Sequence, residues 1–390
     1  MKLNNQEIQS VLIIGLIIAL RLFGIFLILP VFSIYSIKYP GATLTLAGIA
    51  FGIYALVQSV LQIPFGLASD KYGRKPVLII GLLCFSAGSL LCGYAETITE
   101  LIIARAIQGS GAVGAVAIAS LGDSTREQVR AQGFTITGII IGIAFIISLV
   151  IGPAIANQFG FESLFFILSF IGLIAILVTL AFFPDLKVTK QEKTSFMIIK
   201  RLKEIEIRRL FTATFIISFL LNMFLFIYPL SWKELNFDFK NFWLVYLIII
   251  SPSALFVFPY VRRAERIGNL KIPIYIGFIT IGGGLLIYFF QSIHVITLYF
   301  AGGLFFIGHT LFQSLLPTFL TQRFPSSSRG TSSGFYNLSN FFGASIGGMV
   351  AGKLYETSQS LPLTVCLVLM TVWIMFGLPN PPGYRNKHDE

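Results

Sequence analysis

The sequence predicts an all-α membrane protein whose twelve transmembrane helices form two six-helix bundles related by a pseudo-two-fold axis. Two observations indicate the class: the chain of 390 residues is 55% hydrophobic and 12% charged, whereas a soluble domain carries about 25% charged residues. A third observation is the length of the apolar runs. Residues 11–35 contain one charge, Arg21, and residues 77–94 contain none, and about 20 apolar residues cross a bilayer. The chain therefore requires a lipid environment.

Apolar runs between charged or turn-rich breaks predict twelve spans, which we number in chain order. Spans 1 to 6 are expected near residues 10–35, 43–69, 76–94, 99–122, 132–157 and 162–184. Spans 7 to 12 are expected near residues 210–230, 241–261, 272–291, 294–320, 330–352 and 361–378. The predicted organisation is an N-terminal bundle at residues 1–184, a cytoplasmic linker at 185–209, and a C-terminal bundle with a short cytoplasmic tail at 210–390.

The basic residues predict the orientation of these spans. Of the 28 Lys and Arg residues, two lie inside spans, Arg21 and Arg105, and nearly all others fall on the face that holds both termini. We call this the basic face. The opposite face holds only Lys38, Lys233, Lys240 and Lys353. Because cytoplasmic loops collect Lys and Arg, we expect both termini in the cytoplasm of a bacterium and the spans in its inner membrane. Loop placement also explains the net charge of +11, so no nucleic-acid partner is expected.

The residue types limit the chemistry. The three cysteines, Cys84, Cys92 and Cys366, lie in apolar runs without CxxC spacing, so we expect neither a disulfide nor a metal site. The sequence has no phosphate-binding glycine loop and no set of nucleophile and base. We therefore expect no enzymatic activity and no cofactor. The expected state is a monomer surrounded by lipid.

A short repeat supports two duplicated halves. Asp70-Lys-Tyr-Gly73 at the end of span 2 recurs as Glu265-Arg-Ile-Gly268 at the end of span 8, half the chain later. Duplicated halves related by an axis along the membrane normal are known in transporters.

The loop between spans 2 and 3 reads GLASDKYGRKP over residues 66–76. A carboxylate at the end of span 2 opposes the negative end of the helix dipole, so Asp70 needs a positive partner. Arg74 follows four residues later, and Gly73 permits the tight turn between them. Asp123, at the end of span 4, can hold the other side of Arg74.

This loop resembles the motif that the major facilitator superfamily carries between its second and third helices, and every key position is filled. The resemblance implies the superfamily fold and alternating access by a secondary active transporter. It also implies a cytoplasmic gate formed by Gly66, Asp70, Gly73, Arg74 and Asp123. In that gate the aspartate reaches the start of span 11, near Gly330, and latches the two bundles in the outward-open state. The alternative is an ordinary loop salt bridge.

Span 4 places Arg105 inside the membrane, with Gln108 one turn later. A central arginine costs about 3 kcal/mol unless it meets a cavity or a partner, and Gln108 can supply part of its solvation. The segment resembles the second motif of the superfamily, whose arginine has been associated with proton transfer, and this resemblance assigns Arg105 to proton coupling. The alternative is a side chain that extends to the opposite face.

Span 5 contains a stripe of small residues, Ser148-x-x-x-Gly152-Pro153-x-x-Ala156. Such a stripe permits close helix approach, and the proline bends the helix. We assign Gly152 and Pro153 to helix packing. The stripe partly resembles the antiporter motif of drug exporters, which favours efflux over uptake.

Arg21 lies near the middle of span 1, where extension to the surface is hardest, and we interpret it as a cavity residue. Together with Ser124-Thr-Arg126 after span 4, this span resembles the YajR-type branch of the drug:proton antiporters. The large C-terminal soluble domain of that type is expected to be absent.

Protons are the expected coupling partner, yet none of the 17 acidic residues is predicted in mid-membrane. His309, in span 10, is the one interior residue of a type that titrates near neutrality. We hypothesise that His309 carries the proton, alone or with the arginines Arg105 and Arg21 tuning the field around it. A neutral histidine that links two helices is the alternative.

Interior polar residues predict a cavity for a small-molecule substrate. The candidates are Arg21, Tyr54, Gln58, Gln62, Asn222, Gln313, Asn337 and Asn340. Polar residues also link helices, so each has a structural alternative. The predicted function is proton-coupled efflux of a small amphipathic compound or drug. Two arginines fit a cation poorly, so import of a nutrient or of an anionic or zwitterionic solute is an alternative. A membrane receptor of the same fold that transports no solute is a further alternative.

Overall fold

The computed structural model describes residues 3–126, 128–184, 186, 204–267, 269–290, 294–324 and 329–381. All regular elements within these ranges are helices. Ten helical stretches there are long and apolar enough to cross a membrane. Two more helices complete the twelve spans: Arg329–Thr357, which is rich in Gly, Ser and Asn, and Leu361–Phe376, which is apolar but short.

The first half contains spans 1 to 6. Span 1 is Asn5–Ile28 followed by the short helix Phe32–Ser36, and spans 2 and 3 are Leu44–Tyr72 and Arg74–Gly93. Span 4 consists of Ile98–Gly109 and Gly114–Asp123, and spans 5 and 6 are Arg130–Phe159 and Phe161–Phe182.

The break in span 4 differs from the continuous helix that we predict. Gly109 and Gly111 lie at this break, and a Cβ atom on either would overlap a backbone carbonyl, that of Tyr54 in span 2 or that of Gly81 in span 3. Glycine therefore lets the broken segment lie directly on the backbones of both neighbours. The apolar run predicts a continuous span, although the stretch Gly109-Ser110-Gly111 is a signal in the sequence for this interruption.

The second half contains spans 7 to 12. Span 7 is Ile205–Glu234, and a 3-10 turn, Phe239–Asn241, leads into span 8, which is Phe242–Pro252, a π-helical turn Ser253–Val257 and Phe258–Ile267. Spans 9 to 12 are Lys271–Phe290, Val295–Arg323, Arg329–Thr357 and Leu361–Phe376. Span 7 begins inside the segment 185–209 that we predict as a linker. Residues 185 and 187–203 of that segment lie outside the described residues.

The two halves share an ion pair between their first and fourth spans. Glu7 accepts from Nε of Arg126 at 2.9 Å, and Glu206 accepts from Nη2 of Arg323 at 3.3 Å. Each acid lies in the first turn of its helix, and each arginine follows or ends the fourth span. Repetition of the same pair supports duplicated halves better than the sequence repeat does, because Gly268 and the side chain of Glu265 lie outside the described residues.

Helix packing brings the two halves together along span 11. Within the first half, span 1 packs on spans 5 and 6, span 3 on span 6, and span 2 on span 4. Within the second half, span 7 packs on span 11 and span 9 on span 10. Span 11 also packs along span 2 and against the second helix of span 4, and the first helix of span 8 packs on span 5. Spans 2, 4, 5, 8 and 11 therefore form much of the interface between halves, and the short helix Phe32–Ser36 of span 1 adds a contact with span 7.

Candidate functional site

A charged cluster lies at the basic face, where span 2 ends. Nη1 of Arg74 donates to Oδ1 of Asp70 at 2.5 Å and to Oγ of Ser69 at 2.6 Å, and Nε donates to Oδ2 of Asp123 at 2.9 Å. We call these four residues the basic-face cluster. The side chains of Arg74 and Asp123 are 7% and 12% exposed, whereas that of Asp70 is 56% exposed. The buried part of the cluster is therefore the pair between spans 3 and 4.

The turn that builds this cluster depends on Gly73. Its φ is +94°, in a region that other residues rarely adopt, and it separates the last residue of span 2 from Arg74, the first of span 3. A Cβ atom on Gly66 would meet only Ala115, at 3.9 Å, so a larger residue fits there in this conformation. The predicted contact of Asp70 with the start of span 11 falls outside the described residues, because the side chains of 329–331 are among those not described.

Arg105 is enclosed by spans 2, 3 and 4. Its Nε donates to the carbonyl of Ala50 at 3.3 Å, and its Nη2 donates to that of Phe51 at 3.4 Å. Its Nη1 donates to Gln108, whose amide donates in turn to Oγ of Ser89 at 2.8 Å. Arg105 is 1% exposed, so it does not extend to the opposite face. Dipoles of carbonyl and amide groups solvate its charge.

Tyr54 lies between the two buried arginines. Nη2 of Arg21 donates to its hydroxyl oxygen at 2.9 Å, while Cζ of Arg105 lies 4.8 Å from the centre of its ring. Arg21 is 3% exposed, and its Nε has no hydrogen-bond partner among the described residues. Its Cζ lies 6.0 Å from the centre of the Phe85 ring. Two positive charges therefore flank one phenol group.

Two glutamines continue the polar face of span 2 beyond Tyr54. Oε1 of Gln62 accepts from the backbone N–H of Ala115 at 2.7 Å. This bond satisfies a donor in the first turn after the break in span 4, so Gln62 has a structural role. Gln58 is fully buried, and neither its Oε1 nor its Nε2 has a partner in the described part of the chain.

His309 lies in the second half, away from the arginines. It is 2% exposed and faces aromatic rings, with Phe145 of span 5 at 6.1 Å and Phe305 at 6.3 Å between ring centres. Its Nε2 lies 3.5 Å from Nε2 of the exposed Gln313, and its Nδ1 has no partner among the residues described. The described contacts of Arg105 are with spans 1, 2 and 4, so no direct contact supports a joint role of the two residues.

The remaining predicted cavity residues do not contact the hydrogen-bonded pair of Arg21 and Tyr54. The amide of Asn222 donates to the carbonyl of Ser218 in its own helix, at 2.9 Å. Asn337 and Asn340 are partly exposed on span 11. Among the described side chains, no hydrogen bond connects these residues or Gln313 to Tyr54 or Arg21. Of the predicted cavity residues, the described hydrogen bonds thus connect only Arg21 with Tyr54 across two spans of the N-terminal half.

The stripe of span 5 packs against span 1. A Cβ atom on Gly152 would overlap the backbone of Leu27, which is the close approach expected of a small-residue stripe. Ser148, Pro153 and Ala156 are buried beside it. Pro153 does not interrupt the helix Arg130–Phe159.

A close contact between spans 2 and 11 lies toward the opposite face. Each helix contributes a G-x-x-x-G pair, Gly48 with Gly52 and Gly348 with Gly352, and we call these four residues the opposite-face contact. A Cβ atom on Gly352 would overlap the carbonyl of Leu44, and one on Gly48 would lie 3.0 Å from the backbone N of Gly352. None of these four glycines is among the residues predicted from the sequence.

Polar groups extend this contact at its outer end. Oε2 of Glu356, at the end of span 11, accepts from the backbone N–H of Thr45 at 3.1 Å and from its hydroxyl at 2.5 Å. Thr45 lies in the first turn of span 2, where a carboxylate is favoured by the helix dipole. Glu234, at the end of span 7, accepts from the hydroxyl of Tyr355 at 2.6 Å. Carboxylates thus connect the ends of spans 7 and 11 and the start of span 2.

Comparison with known proteins gives independent information. The profile of the family described as Major Facilitator Superfamily matches residues 14–348 and, in an overlapping match, 210–389. The inner membrane transport protein YajR of Escherichia coli K12 is 32% identical over 361 residues, which cover 90% of this chain and 78% of that protein. The class B tetracycline resistance protein of Escherichia coli is 30% identical over 190 residues, 48% of this chain and 46% of that protein.

A solved structure has the same fold. A bacterial homologue of the human lysosomal transporter Spinster, in an inward-facing and occupied conformation, matches with a TM-score of 0.72 and 13% sequence identity. The match covers 96% of this chain and 97% of that one.

Proposed function

The chain belongs to the major facilitator superfamily and is a multi-pass membrane transporter; from this premise we propose that it exports a small amphipathic compound in exchange for protons. The basic-face cluster is the observation that carries the proposal. Its buried pair of Arg74 and Asp123 joins spans 3 and 4, while Asp70, which is also paired with Arg74, is 56% exposed and remains accessible to a moving partner.

Alternating access requires a closable barrier at each face of the membrane. We place the basic face in the cytoplasm, in keeping with its Lys and Arg. The barrier there consists of Gly66, Asp70, Gly73, Arg74 and Asp123 acting with the start of span 11. A larger residue fits at Gly66 in this conformation. We therefore propose that the small size of Gly66 is needed in another state, in which the two halves approach each other more closely at this face. The opposite-face contact supplies the second barrier.

Export is the direction that the observations favour. The stripe of span 5 packs on span 1 as the antiporter motif predicts, and one relative is a tetracycline resistance protein by name. The second candidate is import of a nutrient through alternating closure of the same two barriers. The buried arginines favour import only if the solute is anionic or zwitterionic.

Transport by purified protein in proteoliposomes tests this function. We expect substrate to accumulate inside vesicles whose interior is more acidic than the medium, because outward proton flow then drives inward exchange. Counterflow without a gradient should remain. Equal accumulation with and without the pH gradient would refute proton coupling. Failure of counterflow for every member of a chemically diverse panel would instead favour a receptor.

Replacement of His309 by alanine should abolish accumulation driven by the pH gradient and leave counterflow intact. We propose that His309 carries the proton, because its buried imidazole contacts Phe145 of the other half and its Nδ1 has no partner among the described residues. The matched control is His294→Ala, which removes an exposed histidine at the start of the same span. Equal responses of both variants to the gradient would exclude His309 as the carrier.

A further inference from the structure

We propose that the transported compound carries an acidic group, and that Arg21, Tyr54 and Gln58 bind this group. The proposal rests on the transport function proposed above and names the class of its substrate.

The charge balance of the membrane interior is the first support. Arg21 and Arg105 lie on two sides of Tyr54, and both are almost fully buried. The described ion pairs all lie at helix ends, in the basic-face cluster and in the pairs of Glu7 and Glu206. No described carboxylate accepts from either buried arginine. Because an uncompensated buried charge is strongly unfavourable, this region attracts an anion and repels a cation.

Unused hydrogen-bonding capacity distinguishes Arg21 from Arg105. The donors of Arg105 are engaged by two carbonyl groups and by Gln108. The described hydrogen bond of Arg21 is the one to Tyr54, and its buried Nε has no partner in the described residues. A role in helix packing alone would leave no reason to bury this donor without an acceptor.

Tyr54 and Gln58, on the same face of span 2, supply further donors. The hydroxyl of Tyr54 accepts from Arg21, which leaves its own O–H available to donate. Gln58 lies one turn further along the same face of span 2, and its Nε2 is buried without a described partner. A guanidinium, a phenol and an amide together present donors without a negative charge, and this set suits a carboxylate or a phosphate.

The apolar surroundings indicate the rest of the compound. The guanidinium of Arg21 lies over the ring of Phe85, and that of Arg105 lies over the rings of Phe32 and Tyr54. Aromatic rings beside an anion site suit an amphipathic acid.

Thermal unfolding of the purified full-length protein in detergent tests the proposal without a gradient. The probes are matched triplets on one skeleton: benzoate, benzamide and benzylamine, and indole-3-acetate, indole-3-acetamide and tryptamine. We expect an acid to raise Tm with an affinity about ten-fold or more above that of its amide and amine, since a hydrogen bond to a charged group typically changes binding by that factor.

Variants at Arg21 assign the effect to this site. Arg21→Gln should weaken binding of the acid about ten-fold or more. Arg21→Lys keeps the positive charge and should retain part of the affinity for the acid, which would show that a variant at this position still folds. The matched control is Arg208→Gln, because Arg208 is exposed at the start of span 7. It should bind the acid as the unmodified protein does.

Three outcomes would overturn the proposal: an amide or amine binds more tightly than its acid, no acid of the panel binds, or Arg21→Gln and Arg208→Gln behave alike. Counterflow of the same triplets in proteoliposomes separates this result from the function itself. If amines exchange and acids do not, the protein is a transporter and the assignment of an acidic substrate is wrong.

Discussion

Replacement of Gly352 by valine should lower the transport rate about ten-fold or more, because the new side chain prevents spans 2 and 11 from closing at the opposite face. A Cβ atom there would overlap the carbonyl of Leu44, which belongs to the backbone and cannot rotate away. Overpacking of this kind costs a closed conformation about 1–3 kcal/mol, and about 1.4 kcal/mol changes its population ten-fold. The variant is expected to remain folded and open at this face.

Labelling with a membrane-impermeant maleimide measures that opening directly. The reporter is Gln58→Cys, buried in this structure, in a protein whose three native cysteines are replaced. We expect Gly352→Val to increase labelling from the opposite face. The matched control is Gly283→Val in span 9, where a Cβ atom would meet nothing within 4 Å. Transport is measured without the reporter cysteine, because Gln58 is a proposed substrate-binding residue. Normal transport and a protected reporter in the Gly352 variant would show that this contact is not a barrier.

Replacement of Arg74 by methionine should abolish transport and lower the free energy of unfolding by about 3 kcal/mol, because it leaves Asp123 buried without its partner. The side chain of Asp123 is 12% exposed, and its described ion pair is the one with Arg74. Asp70→Asn should change stability by about 1 kcal/mol or less, since the side chain of Asp70 is 56% exposed. It should still slow transport, because the proposed latch requires its charge.

Lys71→Met is the matched control for the basic-face cluster. It removes a cation from the same loop, but Lys71 is exposed and contacts the ring of Tyr72 rather than a carboxylate. Chemical denaturation and proteoliposome transport should distinguish Arg74→Met from this control. If both variants lost the same stability and activity, the cluster would be only a local loop contact.

The basic-face cluster was predictable because its geometry is local. Asp70 and Arg74 are four residues apart across one turn, and the end of span 4 had to lie at the same face. The fold was predictable for a related reason, since long apolar runs and loop charges determine how often the chain crosses the membrane and in which direction. Neither inference requires knowledge of how the two halves fit together.

Contacts that depend on how the two halves pack together were not predicted from the sequence. The opposite-face contact joins spans far apart in the sequence, although the spacing of Gly48 with Gly52 and of Gly348 with Gly352 is a signal that could have identified both helix surfaces. A second small-residue pair of span 11, Gly343 and Gly347, has the same spacing, yet each of these contacts the backbone of span 7 within the second half. Helix periodicity shows that a stripe exists but not which neighbour it faces.

Polar residues in the spans were the least predictable. Gln62 and Asn222 both fit a cavity by type, yet Gln62 bonds the backbone at the break in span 4 and Asn222 bonds its own helix. A side-chain amide satisfies a backbone group as readily as a substrate. Only the position of the partner distinguishes these roles, and that position depends on tertiary structure.

Alternating access requires spans 2 and 11 to close one face of the membrane while the other face opens. Double electron–electron resonance with two spin-label pairs tests it, one pair at the exposed Lys38 and Ser358 of the opposite face and one at the exposed Tyr72 and Gln322 of the basic face. We expect conditions that lengthen the first distance, including Gly352→Val, to shorten the second. Distances that lengthen together, or that vary independently, would contradict alternating access by these two barriers.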